Sequence, residues 1–118
     1  MKDKHIIIGK QFLIDSAHYL PEHKRCGLVH GHTWKITISL EGVPVNNMVL
    51  DFHELSNVVN PILGRLDHKL INDVIDFPTA ENISSYIANE VKKQMPTNVL
   101  KVNVKVQEGE GGYAIASV

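Results

Sequence analysis

Apolar and polar positions follow a period of two in some stretches of this chain and helical spacing in others. Trp34, Ile36, Ile38 and Leu40 alternate with Thr33, Lys35, Thr37 and Ser39, the pattern of a strand with one buried and one polar face. Gly42-Val43-Pro44 ends that strand. Leu100, Val102, Val104 and Val106 alternate in the same way with Lys101, Asn103, Lys105 and Gln107. A β-like run from Ile6 to Asp15 opens the chain. After a turn containing Gly109, Gly111 and Gly112, Tyr113 to Val118 reads as a last strand. Between these runs, Asp51-Phe52-His53-Glu54 has the form of a capping box, with Asp51 at the N-cap and Glu54 at N3. Leu55, Val58, Val59 and Ile62 follow at helical spacing. Pro61 lies inside that pattern and predicts a kink or a break. A second helix is predicted after Pro78, with Thr79 as N-cap and Ala80, Ile83, Ile87 and Val91 as its apolar stripe. Lys92 and Lys93 suit its C-terminal dipole, and Pro96 stops it.

The order β-β-α-α-β-β predicts an α+β fold, an antiparallel sheet with two helices on one face. The other face, with Thr33, Lys35, Thr37, Lys101, Asn103 and Lys105, is either solvated or lines a polar space in an oligomer. The two open sheet edges invite pairing with another subunit. A length of 118 residues suits one domain, residues 1–118. Hydrophobic residues at 43% and charged residues at 21% are globular usage. No apolar run is long enough to span a membrane, and the N-terminal run is too short for a secretory signal. A net charge of -1 gives no electrostatic case for nucleic acid or an acidic membrane. The single cysteine cannot form an internal disulfide, so the expected location is cytoplasmic.

The unusual number is seven histidines, four of them between His18 and His32. His30-Gly31-His32 leads into the second strand, and alternation points both imidazoles the same way. His18 ends the first run in phase with Ile6, Ile8, Phe12 and Ile14. If the two runs pair, three imidazoles meet, and three histidines with an open fourth position suit catalytic zinc. On spacing alone, hydrogen-bonded histidines at a strand end are the plainer reading. Cys26 is either a fourth ligand, a thiolate whose pKa is lowered by Lys24 and Arg25, or a small buried hydrophobe. Asp67-His68 follows the first helix, as a carboxylate able to fix an imidazole tautomer or as an ordinary surface pair. Glu108 ends the third run in the phase of Val102, Val104 and Val106. A carboxylate carried onto an apolar face is paired or holds a ligand, unless the strand stops at Gln107. His5, His23 and His53 suggest only surface or capping roles.

Taken together, Ser16-Ala17-His18, Cys26-Gly27-Leu28-Val29-His30-Gly31-His32, Val49-Leu50-Asp51-Phe52-His53-Glu54-Leu55, Leu66-Asp67-His68, Pro78-Thr79-Ala80-Glu81-Asn82 and Val106-Gln107-Glu108 resemble the 6-pyruvoyl-tetrahydropterin synthase and 6-carboxytetrahydropterin synthase family. The resemblance covers about Ile14 to Tyr113. It implies the tunnelling fold, ββααββ subunits joined into a trimeric barrel, with two trimers stacked into a homohexamer. It implies Zn²⁺ on His18, His30 and His32, and Cys26 as general base assisted by Asp67 and His68. Glu108 would anchor the guanidine-like edge of a pterin, with Thr79 and Glu81 nearby, contributed by a neighbouring subunit. The implied reaction is a zinc-dependent lyase step on 7,8-dihydroneopterin triphosphate.

The three residues between Cys26 and His30 look like the 6-carboxytetrahydropterin synthases, which release acetaldehyde and triphosphate and supply queuosine-type 7-deazaguanine synthesis. The sequence departs from the family at Ile14, where Phe is common, at Asn47, where Gly is usual, and at Gly109, where Thr is usual. The alternatives are a 6-pyruvoyl-tetrahydropterin synthase, a dihydroneopterin aldolase-like lyase, or a zinc- or pterin-binding module without turnover. A Cys-His-Asp hydrolase would leave the three histidines unexplained.

Overall fold

Trp34, Ile36, Ile38 and Leu40 are fully buried, and so are Val102, Val104 and Val106, while the residues between them are not. The two alternating runs therefore lie side by side with one face inward. In the computed structural model, which describes residues 4–118, the strands are β1 (Ile6–His18), β2 (His30–Gly42), β3 (Val99–Glu108) and β4 (Tyr113–Ser117). They form one antiparallel sheet in the order β1-β2-β3-β4. The first strand continues past Asp15 to His18, where the phase of the run places that imidazole, and Asp15 to His18 pair with Thr33 to His30.

Helices α1 (Phe52–Gly64) and α2 (Ala80–Lys92) cover the inward face. Their buried residues Leu55, Val59, Ile62, Ile83, Ile87 and Val91 join the strand residues in one core. Asp51 caps α1 by accepting from the backbone N–H groups of His53 and Glu54, and Thr79 caps α2 by accepting from that of Asn82, as both sequence patterns predict. The expected break at Pro61 does not occur, since α1 continues through it to Gly64. Pro61 removes a single backbone donor near the end of the helix, and buried Ile62 and Leu63 hold the last turn against the core.

The segment after α1 returns along the outer edge of β1. Leu70 bridges Ala17 in parallel, Ala17 N–H donates to Lys69 O, and His68 N–H donates to Asp15 O at 2.7 Å. The rest of that edge and the outer edge of β4 have no strand partner among the described residues. Leu13, Tyr113 and Ile115 are exposed on the outer sheet face, beside Lys35 and Lys105. The radius of gyration is 15.3 Å and the extents are 55 × 23 × 23 Å. A compact chain of this length would have a radius of about 13.5 Å, so the subunit is drawn out along β1 and β2.

Candidate metal centre and active site

Register brings the histidines together. His18 is the last residue of β1 and pairs with His30, the first of β2, while Ser16 pairs with His32. The ring centroids stand 4.6 Å apart for His18 and His30, 5.2 Å for His18 and His32, and 4.9 Å for His30 and His32. The Trp34 ring packs edge-on against two of them, at 4.9 Å from His18 and 5.2 Å from His32. It closes the core side of the cluster.

Two rings are fixed from behind. His18 Nδ1 lies 2.8 Å from the carbonyl of Pro78, at the entry to α2, and His30 Nδ1 lies 2.7 Å from that of Leu28. A carbonyl can only accept, so each Nδ1 carries the proton and each Nε2 keeps its lone pair. Imidazoles that bind metals are held in the same way. His18 is 1% exposed, and its Nε2, like that of His32, is buried without a hydrogen-bond partner. An orphaned buried nitrogen is costly, and two that face a common centre fit a bound cation. One ligand atom from each of His18, His30, His32 and Glu108 lies within 4.8 Å of the other three, so the residues present could hold a metal ion.

Glu108 joins the cluster because β3 ends opposite Trp34. Its Oε1 is 3.0 Å from His32 Nε2 but not in line for a hydrogen bond. Burial pushes the His32 pKa below the ordinary histidine value. The Glu108 carboxylate raises it in part, and the two neighbouring imidazoles lower it further. His32 is thereby kept in the neutral form a metal requires. Strand phase marks Glu108 as a carboxylate that is paired or holds a ligand, but it does not give the β2–β3 register that sets it beside His32.

A pocket of about 260 Å³ opens beside the cluster, lined by His18, Leu20, Thr79, Ala80, Glu81, Glu108, Gly112 and Tyr113. Thr79 and Glu81, expected from a neighbouring subunit, thus share a pocket with Glu108 within one chain. His18 reaches them because its ring is tied to Pro78, the residue before Thr79.

Cys26 is not among the converging ligand atoms. It sits half-buried in the loop between β1 and β2, where its carbonyl accepts from Leu20 N–H at 2.7 Å and its N–H donates to His23 Nδ1 at 2.9 Å. Asp67 and His68 pair with each other at 2.8 Å. Asp67 also accepts from the backbone N–H of Asp15, and none of the hydrogen bonds of this pair involves Cys26. The His68 side chain is 77% exposed, and its φ of 57° turns the chain onto the β1 edge.

The profile of the family described as 6-pyruvoyl tetrahydropterin synthase matches residues 7–117. The chain belongs to this family. A protein of Archaeoglobus fulgidus, provisionally named 6-carboxy-5,6,7,8-tetrahydropterin synthase, is 39% identical over 90% of this chain and 92% of its own length. The 6-carboxy-5,6,7,8-tetrahydropterin synthase of Bacillus subtilis is 29% identical over 92% and 82%. The dihydroneopterin monophosphate aldolase of Pyrococcus furiosus is 35% identical over 69% and 71%. The structure of Caenorhabditis elegans 6-pyruvoyl tetrahydropterin synthase superposes with a TM-score of 0.85, covering 100% of this chain and 99% of that one at 20% identity. The fold of this family member is therefore the tunnelling fold that its motifs imply. Asn47, one of the positions expected to depart from the family pattern, has a φ of 72°, a conformation Asn tolerates better than most side chains. No helix among the described residues is long and apolar enough to cross a membrane.

Proposed function

We propose that the chain is a zinc-dependent 6-carboxytetrahydropterin synthase, cytoplasmic and serving 7-deazaguanine synthesis of the queuosine type. It converts 7,8-dihydroneopterin triphosphate and water to 6-carboxytetrahydropterin, acetaldehyde and triphosphate. The observation that carries this reading is the pair of orphaned Nε2 atoms on His18 and His32, facing Glu108 at the mouth of a pocket. His18, His30 and His32 hold the ion. Zinc supplies Lewis acidity that polarises the side-chain hydroxyls of the substrate and acidifies the neighbouring C–H bonds. Glu108 accepts from the guanidine-like edge of the pterin, a charge-assisted contact that fixes the ring. Thr79 and Glu81 line the same pocket and orient the substrate. Cys26 takes the carbon-bound proton as its thiolate. The exposed His68 imidazole, paired with Asp67, assists it from the same copy or an adjoining one.

A second reading, a lyase of the aldolase type, is favoured by the Pyrococcus furiosus relative. Product chemistry separates the two. With dihydroneopterin triphosphate, the first reading yields free triphosphate and acetaldehyde. With dihydroneopterin monophosphate, the second yields 6-hydroxymethyldihydropterin and a two-carbon aldehyde carrying the phosphate, whereas a 6-pyruvoyl product keeps all three side-chain carbons. Turnover of neither substrate by zinc-loaded protein would overturn both readings. In the synthase, Cys26→Ala keeps its zinc and loses on the order of 10²–10⁴ in kcat, the usual loss when a general base is removed.

A further inference from the structure

The proposed chemistry leaves one histidine of the cysteine loop without a role. His23 Nδ1 accepts from the backbone N–H of Arg25 at 3.2 Å and from that of Cys26 at 2.9 Å. A ring nitrogen that accepts carries no proton, so this imidazole has its hydrogen on Nε2, the tautomer opposite to those of His18 and His30. The same residue donates its own N–H to Leu20 O at 3.1 Å, and Leu20 N–H donates to Cys26 O at 2.7 Å. These bonds close the loop, with the imidazole accepting from two of its amides.

The loop is also sterically tight. Glu22 has a φ of 65°, and a Cβ on Gly27 would stand 2.6 Å from His23 O. His23 itself is exposed and lines no part of the pocket. Among the described residues it forms no ion pair. Its polar contacts all go to the backbone of the loop that carries Cys26.

We propose that His23 is a positioning residue: its bare Nδ1 caps the Arg25 and Cys26 amides and thereby fixes the Cys26 thiol for proton abstraction. The geometry is that of an Asx turn, in which a side-chain acceptor takes the N–H groups two and three residues on. This rests on the reading of Cys26 as the base.

The test uses zinc-loaded full-length protein, ¹⁵N spectroscopy of the histidine rings, amide exchange resolved at Arg25 and Cys26, and steady-state turnover of dihydroneopterin triphosphate. In the wild type, His23 Nδ1 reads as unprotonated and hydrogen-bonded, and the Cys26 amide is protected. His23→Ala speeds Cys26 amide exchange by about tenfold, as loss of a cap does. It also lowers kcat by roughly 10- to 100-fold, the scale of a misplaced catalytic group, with KM and zinc content unchanged. His23→Asn restores both, because its Oδ1 reaches the same two amides. A proton on Nδ1, or an unprotected Cys26 amide in the wild type, overturns the proposal. So does a His23→Ala enzyme with full kcat when Cys26→Ala has lost it. If Cys26→Ala itself retains full kcat, the base assignment fails instead, and the ring tautomer and amide exchange still decide whether His23 caps the loop.

Discussion

Removing metal and restoring zinc probes the imidazole cluster through stability, independently of turnover. The Nε2 atom of His18 is buried without a partner, and that of His32 makes no hydrogen bond although the Glu108 carboxylate lies 3.0 Å away; a buried unsatisfied polar atom destabilises a fold by roughly 1–3 kcal/mol. One ion satisfies both. Linkage gives the same scale, about 2.7 kcal/mol when free zinc is 100 times its dissociation constant. Unfolding entropy is about 2.1 cal/mol/K per residue, which for 118 residues is about 0.25 kcal/mol/K and converts that stabilisation to about 10 °C in Tm. The assay is thermal unfolding after chelation and after zinc is added back, at one fixed protein concentration because association also stabilises. The wild type recovers about 10 °C. His30→Ala and His32→Ala lose most of that gain, and Cys26→Ala keeps it. A wild-type Tm indifferent to zinc would refute the reasoning, and so would a gain that vanishes in Cys26→Ala but survives in the histidine variants.

The other predictions concern the anchor, the assembly and the fold. Glu108→Gln weakens binding of a non-reacting dihydropterin by at least about tenfold, since a hydrogen bond to a charged group contributes about 1.5–3 kcal/mol; unchanged affinity by calorimetry would remove Glu108 from the pterin site. Sedimentation at micromolar concentration is expected to show the trimer-based assembly, most simply a hexamer, that the family resemblance implies, and the open sheet edges with exposed Leu13, Tyr113 and Ile115 offer surface for association; a lone 13.2 kDa species contradicts this. Gly42→Ala puts a Cβ 2.4 Å from Asn98 O and 3.1 Å from Val99 Cα, both backbone atoms at the register shift between β2 and β3. The expected loss is about 2–4 kcal/mol, read from the urea midpoint, and a midpoint equal to wild type argues against that packing.

The sequence by itself determined what depends on neighbours along the chain. Backbone geometry imposes a period of two on strands and 3.6 on helices, so Trp34 to Leu40, Val102 to Val106 and the stripes of both helices were legible. So were the caps Asp51 and Thr79, whose side chains bond to amides two or three residues on. The shared direction of His30 and His32 follows from the same rule, and the order of the short motifs carries the family. The tertiary structure decided what depends on register and on distant backbone. The alignment of β3 on β2 sets the Glu108 carboxylate beside His32, and the carbonyls of Pro78 and Leu28 select the tautomers of His18 and His30. Packing of Ile62 and Leu63 into the core lets α1 continue past Pro61 to Gly64. The return of the chain along β1 sends Asp67 and His68 to the sheet edge, although they are adjacent in sequence to nothing there. Apart from the short Leu28–His30 contact, each of these comes from pairing between segments far apart in the chain, which no local period encodes.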